Sequence, residues 1–380
     1  MSGAVAVQPV TTRRQRRRFI DLPYRMHRRT PNWVPPLRSG IKSVLDPDHP
    51  FYEHAEIDLY LATRGGRPVG RIAAVHNRGY NDYTGERVAF FGFFDSEDDP
   101  ETAAALFDAV RRFGRDRGLA ELRGPVSPSM HAECGLLIDA FDLPPVVMMP
   151  YNPPYYPRLF EQSGLAKCKD LYAYRILRDD VMTRNSPLAR LERMEGQIAK
   201  RFPSFRIRTL DMTRYEEEVI AFGRVFNEAR QHNFGFSPMT DAELRRLAAD
   251  LRPVANPNLC LAAEYEGEII GAGLGLPDLN RVLIHLNGRL LPFGFLRLMW
   301  GLRRPHGVRV FGIAAKPEHR RKGVAGLLML ELIRRAYRAG FVEAEAGWVN
   351  EDNDMSNRTI MALLCAERYK TYRIYTQALE

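Results

Sequence analysis

The chain has 380 residues, 45% of them hydrophobic and 10% aromatic, with a formal net charge of +9. Such a length suggests two domains, and such an apolar content supplies their cores, which excludes a chain disordered throughout. No apolar run approaches the ~20 residues a bilayer span needs; Cys134, Cys168, Cys260 and Cys365 form no C-x-x-C pair and no histidine cluster sits at ligand spacing, so neither an integral membrane protein, a disulfide framework nor a zinc site is expected. The cytoplasm is therefore the expected compartment. The start, "MSGAVAVQPVTT", passes into "RRQRRR" without the apolar core of a signal peptide, and residues 1–12 are expected to lack regular structure. The basic balance favours anionic partners.

Residues 13–29 alternate basic side chains with Phe19, Ile20, Leu22, Tyr24 and Met26, which predicts a helix packed on the first domain with a solvated basic face. "TPNWVPPL" (30–37) is a Pro-rich connector. "IDLYLATR", "VGRIAAVHN" and "VAFFGFF" (88–94) read as strands. Asp99 suits an N-cap, Pro100 the first helical position and Gly118 the stop, so a helix is predicted between them. "LAELRGPV" is a strand, "PPYYPRLFEQSGL" (153–165) a short helix and "KCKDLYAYRI" a strand. A linking helix, "PLARLERMEGQIAKRF" (187–202), leads to a second unit with the same order. There "FRIRTL", "NLCLAAEY", "EIIGAGLGLP", "VRVFGIAAK" and "VEAEAGWV" are strands, with helices over "RYEEEVIAFGRVFNEAR", "DAELRRLAADL", "VAGLLMLELIRRAYRAG" and about 354–364, before a last strand, "RYKTYRIYTQA". "PFGFLRLMWGLRR" (292–304) is expected as an inserted helix packing between the domains; its alternative is a helix lying on a membrane. Strands alternating with helices in a weak repeat imply two α/β domains, over 1–178 and 205–380, joined by a linker at 179–204.

The chemistry concentrates in "KPEHRRKGVAG" (316–326), where a buried strand runs into a helix start. A helix N-terminus offers unpaired amides and about half a positive charge, a natural anion site. Gly323 allows close backbone approach, Ala325 and Gly326 keep the first turn free of bulk, and Arg320, Arg321 and Lys322 add full charges. These features suit a diphosphate. Neither a Walker A loop nor a G-x-G-x-x-G turn is present.

Arg320-x-x-Gly323-x-Ala325, placed after a strand and opening a helix, resembles the acyl-CoA diphosphate loop of the GNAT acyltransferase superfamily, and the order of elements over 205–380 resembles it too. "PNWVPPL", "GRPVGRIAA", "FFGFF" and "MMPYNPPYY" are similar to segments of a bacterial tandem-GNAT family. The resemblance implies two GNAT-like domains, each a twisted mixed β-sheet flanked by helices, and acetyl-CoA or another acyl-CoA as co-substrate, with no metal. It assigns the cofactor to Arg320, Arg321, Lys322, Gly323, Val324, Ala325 and Gly326, and the pantetheine arm to the backbone of Ile313, Ala314 and Ala315. An asparagine of "NEDNDMSN" would contact that arm; Asn353 and Asn357 are taken as candidates beside Asn350. "RLFEQSGL" (158–165) resembles the end of a GNAT domain, yet the loop "DSEDDPETA" carries five acidic residues from Asp95 to Glu101. The N-terminal domain is therefore expected to have lost CoA binding.

Amine attack on a thioester needs a base, oxyanion donors and an acid for the thiolate. The tyrosine that the family uses as acid falls at Met361 here and at Phe160 in the first domain. Tyr369 is the substitute, and Glu228, His232, Asp278, His285 and Glu351 are candidate bases. Phe234 and Phe236 are expected to line the acceptor site, which takes a small-molecule or peptide amine. The competing readings are a non-catalytic acyl-CoA sensor and, through residues 13–29, a nucleic-acid binder. Nucleic acid is not the expected partner, because the helix after the loop is apolar and must be buried.

Overall fold

The structure, a computed structural model, describes residues 3–181, 192–193, 195–197, 200, 202–303 and 306–380. Most of the expected linking helix lies outside the described residues, as do Arg304 and the Arg321 side chain. The chain forms two compact units: Met1–Leu171 with Asn280–Phe295 and Lys370–Glu380, and Tyr172–Leu279 with Leu296–Tyr369.

In the first unit β1 (Val5–Pro9), β2 (Ala55–Arg64), β3 (Arg67–Asn77) and β4 (Val88–Ser96) run antiparallel in that order, and β5 (Glu121–Gly124) pairs with β4 in parallel. The expectation that residues 1–12 lack structure is corrected: Val5 to Pro9 pair with Arg64 to Tyr60, and Val5 and Val7 pack on the core. The alternation of "VAVQP" supplies that apolar face. The expected strand "LAELRGPV" is broken at Pro125, which cannot donate to a ladder. The chain continues instead as β6 (Val126–Ser127), β7 (Glu133–Cys134) and β8 (Leu136–Leu137). The basic helix forms over Arg13–Met26, with a Thr12–Gln15 capping box and Phe19, Ile20, Leu22 and Tyr24 buried. The helix Pro100–Asp116 starts at Asp99 and buries Ala103, Leu106, Phe107, Val110 and Phe113. Phe91, Phe94, Phe107 and Phe160 meet edge to face or stacked in this core.

The second unit takes the end of β9 (Ala166–Leu177) and then β10 (Arg206–Thr209), β11 (Cys260–Tyr265), β12 (Glu268–Pro277), β13 (Gly307–Ala315) and β14 (Glu343–Asn350). The order β10-β11-β12-β13 is antiparallel, and β13 pairs with β14 in parallel. The helices Tyr215–Arg230 and Val324–Arg338 pack on this sheet; Val324, Leu328, Leu332 and Ala336 join Leu261, Ala263 and Ile270 in one core. The last strand, β15 (Glu367–Ala378), enters the first unit at Lys370 and pairs with β5, Tyr375 opposite Gly124. Each unit's sheet thus includes strand residues from the opposite half of the sequence: Tyr172–Leu177 in the second, Lys370–Ala378 in the first.

The helix Gly294–Leu302 forms as expected but is largely exposed instead of packed. Leu291, Phe293, Phe295, Leu296, Met299 and Trp300 stand exposed, and only Leu298 of the helix is buried. The apolar residues cover too much of the helix for one buried stripe, so one face goes inward and the rest outward.

Candidate functional site

In the second unit β13 and β14 pair from Gly307/Glu343 to Val310/Ala346 and then separate. At the same level β13 carries a bulge: Leu274 pairs with Gly312 and Gly275 with Val310, leaving Phe311 as the extra residue. A bulge bends its strand and re-aims its groups. Beyond it, Ile313, Ala314 and Ala315 stay paired to Gly273, Ala272 and Gly271 on one side, with no β14 register on the other.

The chain then turns through the 3-10 segment Pro317–Lys322 to Gly323, whose φ of 76° and ψ of 13° are left-handed. A residue with a Cβ is strained there, so glycine is required. The helix Val324–Arg338 follows with no side-chain cap, so the amides of its first turn, over Val324, Ala325 and Gly326, lack intrahelical acceptors. Gly271 lies beneath this start. A Cβ there would meet Val324 Cγ1 at 2.7 Å, Leu328 Cδ1 at 3.0 Å and the Ala314 carbonyl oxygen at 3.1 Å.

The cations beside the turn are distributed differently from one another. Arg320 donates to the Ala229 carbonyl oxygen at 2.6 Å. The Lys322 ammonium lies 4.5 Å from the Tyr265 ring centre and 5.3 Å from that of Phe202. Lys316 pairs with Glu268, whose carboxylate raises its pKa, and lies 3.9 Å from Glu228. Glu228 is exposed and forms part of this rim.

The remaining predicted residues are spread more widely. Asp278 donates its amide to the Gly307 carbonyl oxygen at 2.8 Å, at the far end of β13; eight strand steps put it about 25 Å from Ala315. His232 and His285 are exposed, and His285 belongs to the first unit. Phe236 is buried and Phe234 half-buried in the loop after Tyr215–Arg230, which Asn227 pins through both Met239 backbone groups. Asn353 caps the helix Asp354–Leu364 by accepting from the Ser356 amide at 3.1 Å. Asn357 is bonded at both ends of its amide: it donates to the Asn350 and Glu351 carbonyls at 3.0 and 3.3 Å and accepts from the Tyr174 hydroxyl at 2.9 Å. Asn350 is buried at the end of β14, and its Oδ1 has no protein partner. Met361 is exposed, and Phe160 is wholly enclosed in the first unit's core.

Sequence reasoning missed three charged groups near the separation. Glu345, buried on β14, stands in register with Arg309 on β13 and accepts a hydrogen bond from the Tyr369 hydroxyl. Arg309, also buried, donates to the Gly347 carbonyl oxygen at 3.2 Å. Arg230 reaches the Phe311 carbonyl oxygen at 3.5 Å with its guanidinium over the Phe226 ring; burial, with Arg309 nearby, pushes its pKa down to about 10. For Arg309 and Glu345 the available signal was charge inside strands that otherwise read as buried, "VRVFG" and "EAEAG".

The first unit treats the same positions in the opposite way. β4 and β5 pair only to Phe90/Arg123, and β4 bulges below Asp95. The gap is closed by its own chain: a Cβ on Gly92 would lie 1.6 Å from the Val126 carbonyl oxygen, and Ser127 Oγ accepts from the Phe93 amide at 3.0 Å. The start of Pro100–Asp116 is capped by Asp99, which also pairs with Arg64 at 2.6 Å. Asp95 turns inward to Arg71 and His27, both at 2.6 Å. Burial opposes its charge, yet the Arg71 guanidinium and the hydrogen bond from the His27 ring hold its carboxyl below the usual range.

Among the described residues no group of His, Cys, Asp and Glu is arranged to hold a metal, and no helix is long and apolar enough to cross a membrane. A family model described as the acetyltransferase (GNAT) family matches residues 222–360. The chain is 36% identical over 384 residues to the bacterial ceramide synthase of Caulobacter vibrioides (strain NA1000 / CB15N), covering 99% of this chain and 98% of that one. It is 32% identical over 367 residues to protein YghO of Escherichia coli (strain K12), covering 95% and 92%. Its fold matches a tandem GNAT protein from the clavulanic acid biosynthesis pathway with a TM-score of 0.57, at 14% identity and over 99% of both chains.

Proposed function

This chain belongs to the GNAT acetyltransferase family and is an N-acyltransferase, and on that premise we propose that its second unit binds acyl-CoA and transfers the acyl group to the amine of a long-chain amino alcohol. The observation that carries the donor assignment is the strand separation above Val310, which leads directly to left-handed Gly323 and an uncapped helix start. The diphosphate lies against the amides of Val324 to Gly326, and the arm runs along Ile313 to Ala315. Asn350, with its buried and unpartnered Oδ1, is the asparagine best placed to receive an N–H of that arm. Arg320 and Lys322 frame the turn. The acceptor class rests on the relative named a ceramide synthase, since a ceramide is the amide of such an amino alcohol.

Just below the separation, Glu345 and Tyr369 supply the proton chemistry. The amine nitrogen bonds to the thioester carbon as the carbon–sulfur bond breaks. Glu345 takes the ammonium proton, the Tyr369 hydroxyl gives its own to the departing thiolate, and the hydrogen bond between the two side chains returns the proton to tyrosine. In this reading the pair supplies both the acid missing at Met361 and the carboxylate missing from β13, the two absences that motivate the non-catalytic alternative. Only the C-terminal half, 205–380, carries the donor site in this proposal; the half 1–178, beyond the linker 179–204, has an Asp99-capped helix start and a gap closed by Val126.

The test is thiol release by the purified protein from acetyl-CoA and from long-chain acyl-CoA, with a panel of amines that includes a long-chain amino alcohol. Amine-dependent release that is lost in Gly323→Glu is expected. Acyl-CoA binding unchanged by Gly323→Glu overturns the donor site, and turnover with short polar amines alone overturns the acceptor class.

A further inference from the structure

From Leu279 to Pro317 the sequence contains no aspartate or glutamate, while Arg281, Arg289, Arg297, Arg303 and Arg304 fall within its first part. Within this stretch Leu291 is 81% exposed, Phe293 70%, Leu296 63% and Trp300 58%. At 100° per residue, Phe295, Leu296, Met299 and Trp300 share an arc of about 140° on the helix Gly294–Leu302, and Leu298 faces the other way, inward. Monomeric proteins rarely leave so contiguous an apolar surface uncovered.

Arg289, two residues before Leu291, lies among other cations of the first unit. Arg38 donates its amide to the Gly288 carbonyl oxygen at 3.0 Å, and its pKa is lowered by burial and by the neighbouring Arg289 and Arg17. Asp21 is the acid that Arg17 and Arg38 share. Arg17, 87% exposed, belongs to a helix whose Arg13, Arg14 and Arg25 also face solvent.

We propose that the exposed Leu291–Trp300 segment, with Arg289, Arg297 and Arg303 in or next to it in the chain, docks the protein on an anionic lipid surface. Large apolar side chains enter the boundary between headgroups and acyl chains while guanidinium groups meet lipid phosphates. A nucleic acid offers phosphates but nothing that covers Leu291, Phe293 and Trp300. The docking does not depend on the acyl-transfer reading, because binding is measured without turnover.

The test is co-sedimentation of the full chain with vesicles of phosphatidylcholine alone and of phosphatidylcholine mixed with phosphatidylglycerol. Binding to the mixed vesicles, a blue shift of tryptophan emission, and weakening by high salt are expected. The variant L291S/F293S/W300S is expected to lower partitioning at least about tenfold with unchanged circular dichroism. Arg289→Gln with Arg297→Gln is expected to reduce binding only to the anionic vesicles. Binding by the triple serine variant equal to that of the wild type overturns the proposal. So does a wild-type dimer that this variant converts to monomer without any vesicle binding by either, which assigns the patch to a second copy of the chain. Retention on duplex DNA that survives the triple variant, in the absence of vesicle binding, overturns it as well.

Discussion

Gly271→Ala and Gly273→Ala add the same methyl group two residues apart on β12, and their environments predict opposite outcomes. At Gly271 the new carbon meets Val324 Cγ1 at 2.7 Å and the Ala314 carbonyl oxygen at 3.1 Å. Val324 is β-branched and helical, so its χ1 has little freedom to yield, and the Ala314 oxygen is backbone. The helix start must therefore move away from the sheet. Overpacking of this kind costs about 1–3 kcal/mol. It also displaces the amides proposed to hold the diphosphate, with an expected three- to tenfold loss of acyl-CoA affinity, about 0.7–1.4 kcal/mol. At Gly273 the nearest atoms are Leu328 Cβ and Cδ2 at 3.8 Å and Ile313 Cγ1 at 4.0 Å, ordinary contact distances. Alanine there is expected to be neutral or to stabilise by about 0.5–1 kcal/mol, because strand glycine carries an entropic cost. Denaturant titration and calorimetric titration with acetyl-CoA measure both effects. Equal destabilisation by the two alanines refutes the reasoning, as does a Gly271→Ala protein with wild-type stability and affinity.

Three other predictions concern separate regions. Glu345→Gln and Tyr369→Phe are each expected to lower kcat by about 10²- to 10⁴-fold with little change in the KM for acyl-CoA, read from steady-state kinetics; equal losses in acyl-CoA binding would make the pair structural. Because Asp95 has a folded pKa below its unfolded value, its contribution to stability is present above the ordinary carboxyl range and is lost as pH falls through the folded value. Asp95→Ala is therefore expected to cost about 3–5 kcal/mol at neutral pH by leaving Arg71 unpaired, with a smaller difference from wild type in acid, read by urea titration at several pH values. Burial pushes the Cys260 thiol up to about 12, whereas Cys365 is exposed. Maleimide labelling followed by peptide mapping is expected to modify Cys365 in the native protein and Cys260 only on unfolding.

The fold was legible wherever local patterning decides it. Asp99 and Pro100 announce a helix start, Gly118 and Gly340 adopt positive φ as helix stops, and "VAFFGFF" is buried throughout. Gly323 was legible because a charged turn between a strand and an apolar helix leaves few other conformations. β1 was obscured because five residues with one apolar face look like a tail until a partner strand is known. The placement of β9 and β15 was not legible, since no local periodicity specifies which sheet a strand joins. The Glu345–Tyr369 pair depends on that placement: the two residues are 24 positions apart, and only the register of β14 and the course of β15 bring them together. Strand identity could be read for both, but not their meeting.

The crossing of β15 makes the second unit hard to excise. Tyr369 is the last residue of that strand to belong to the second unit, and the next, Lys370, is fully buried in the first with its ammonium on the Pro144 carbonyl oxygen at 2.6 Å. A half that had ceased to hold a cofactor would ordinarily be free to erode or be deleted. Here the strand that presents the tyrosine is tethered at its very next residue in that half, so deletion would release it. If, as proposed, only the second unit holds acyl-CoA, a chain cut back to 205–380 still loses the buried anchor of the strand that carries Tyr369.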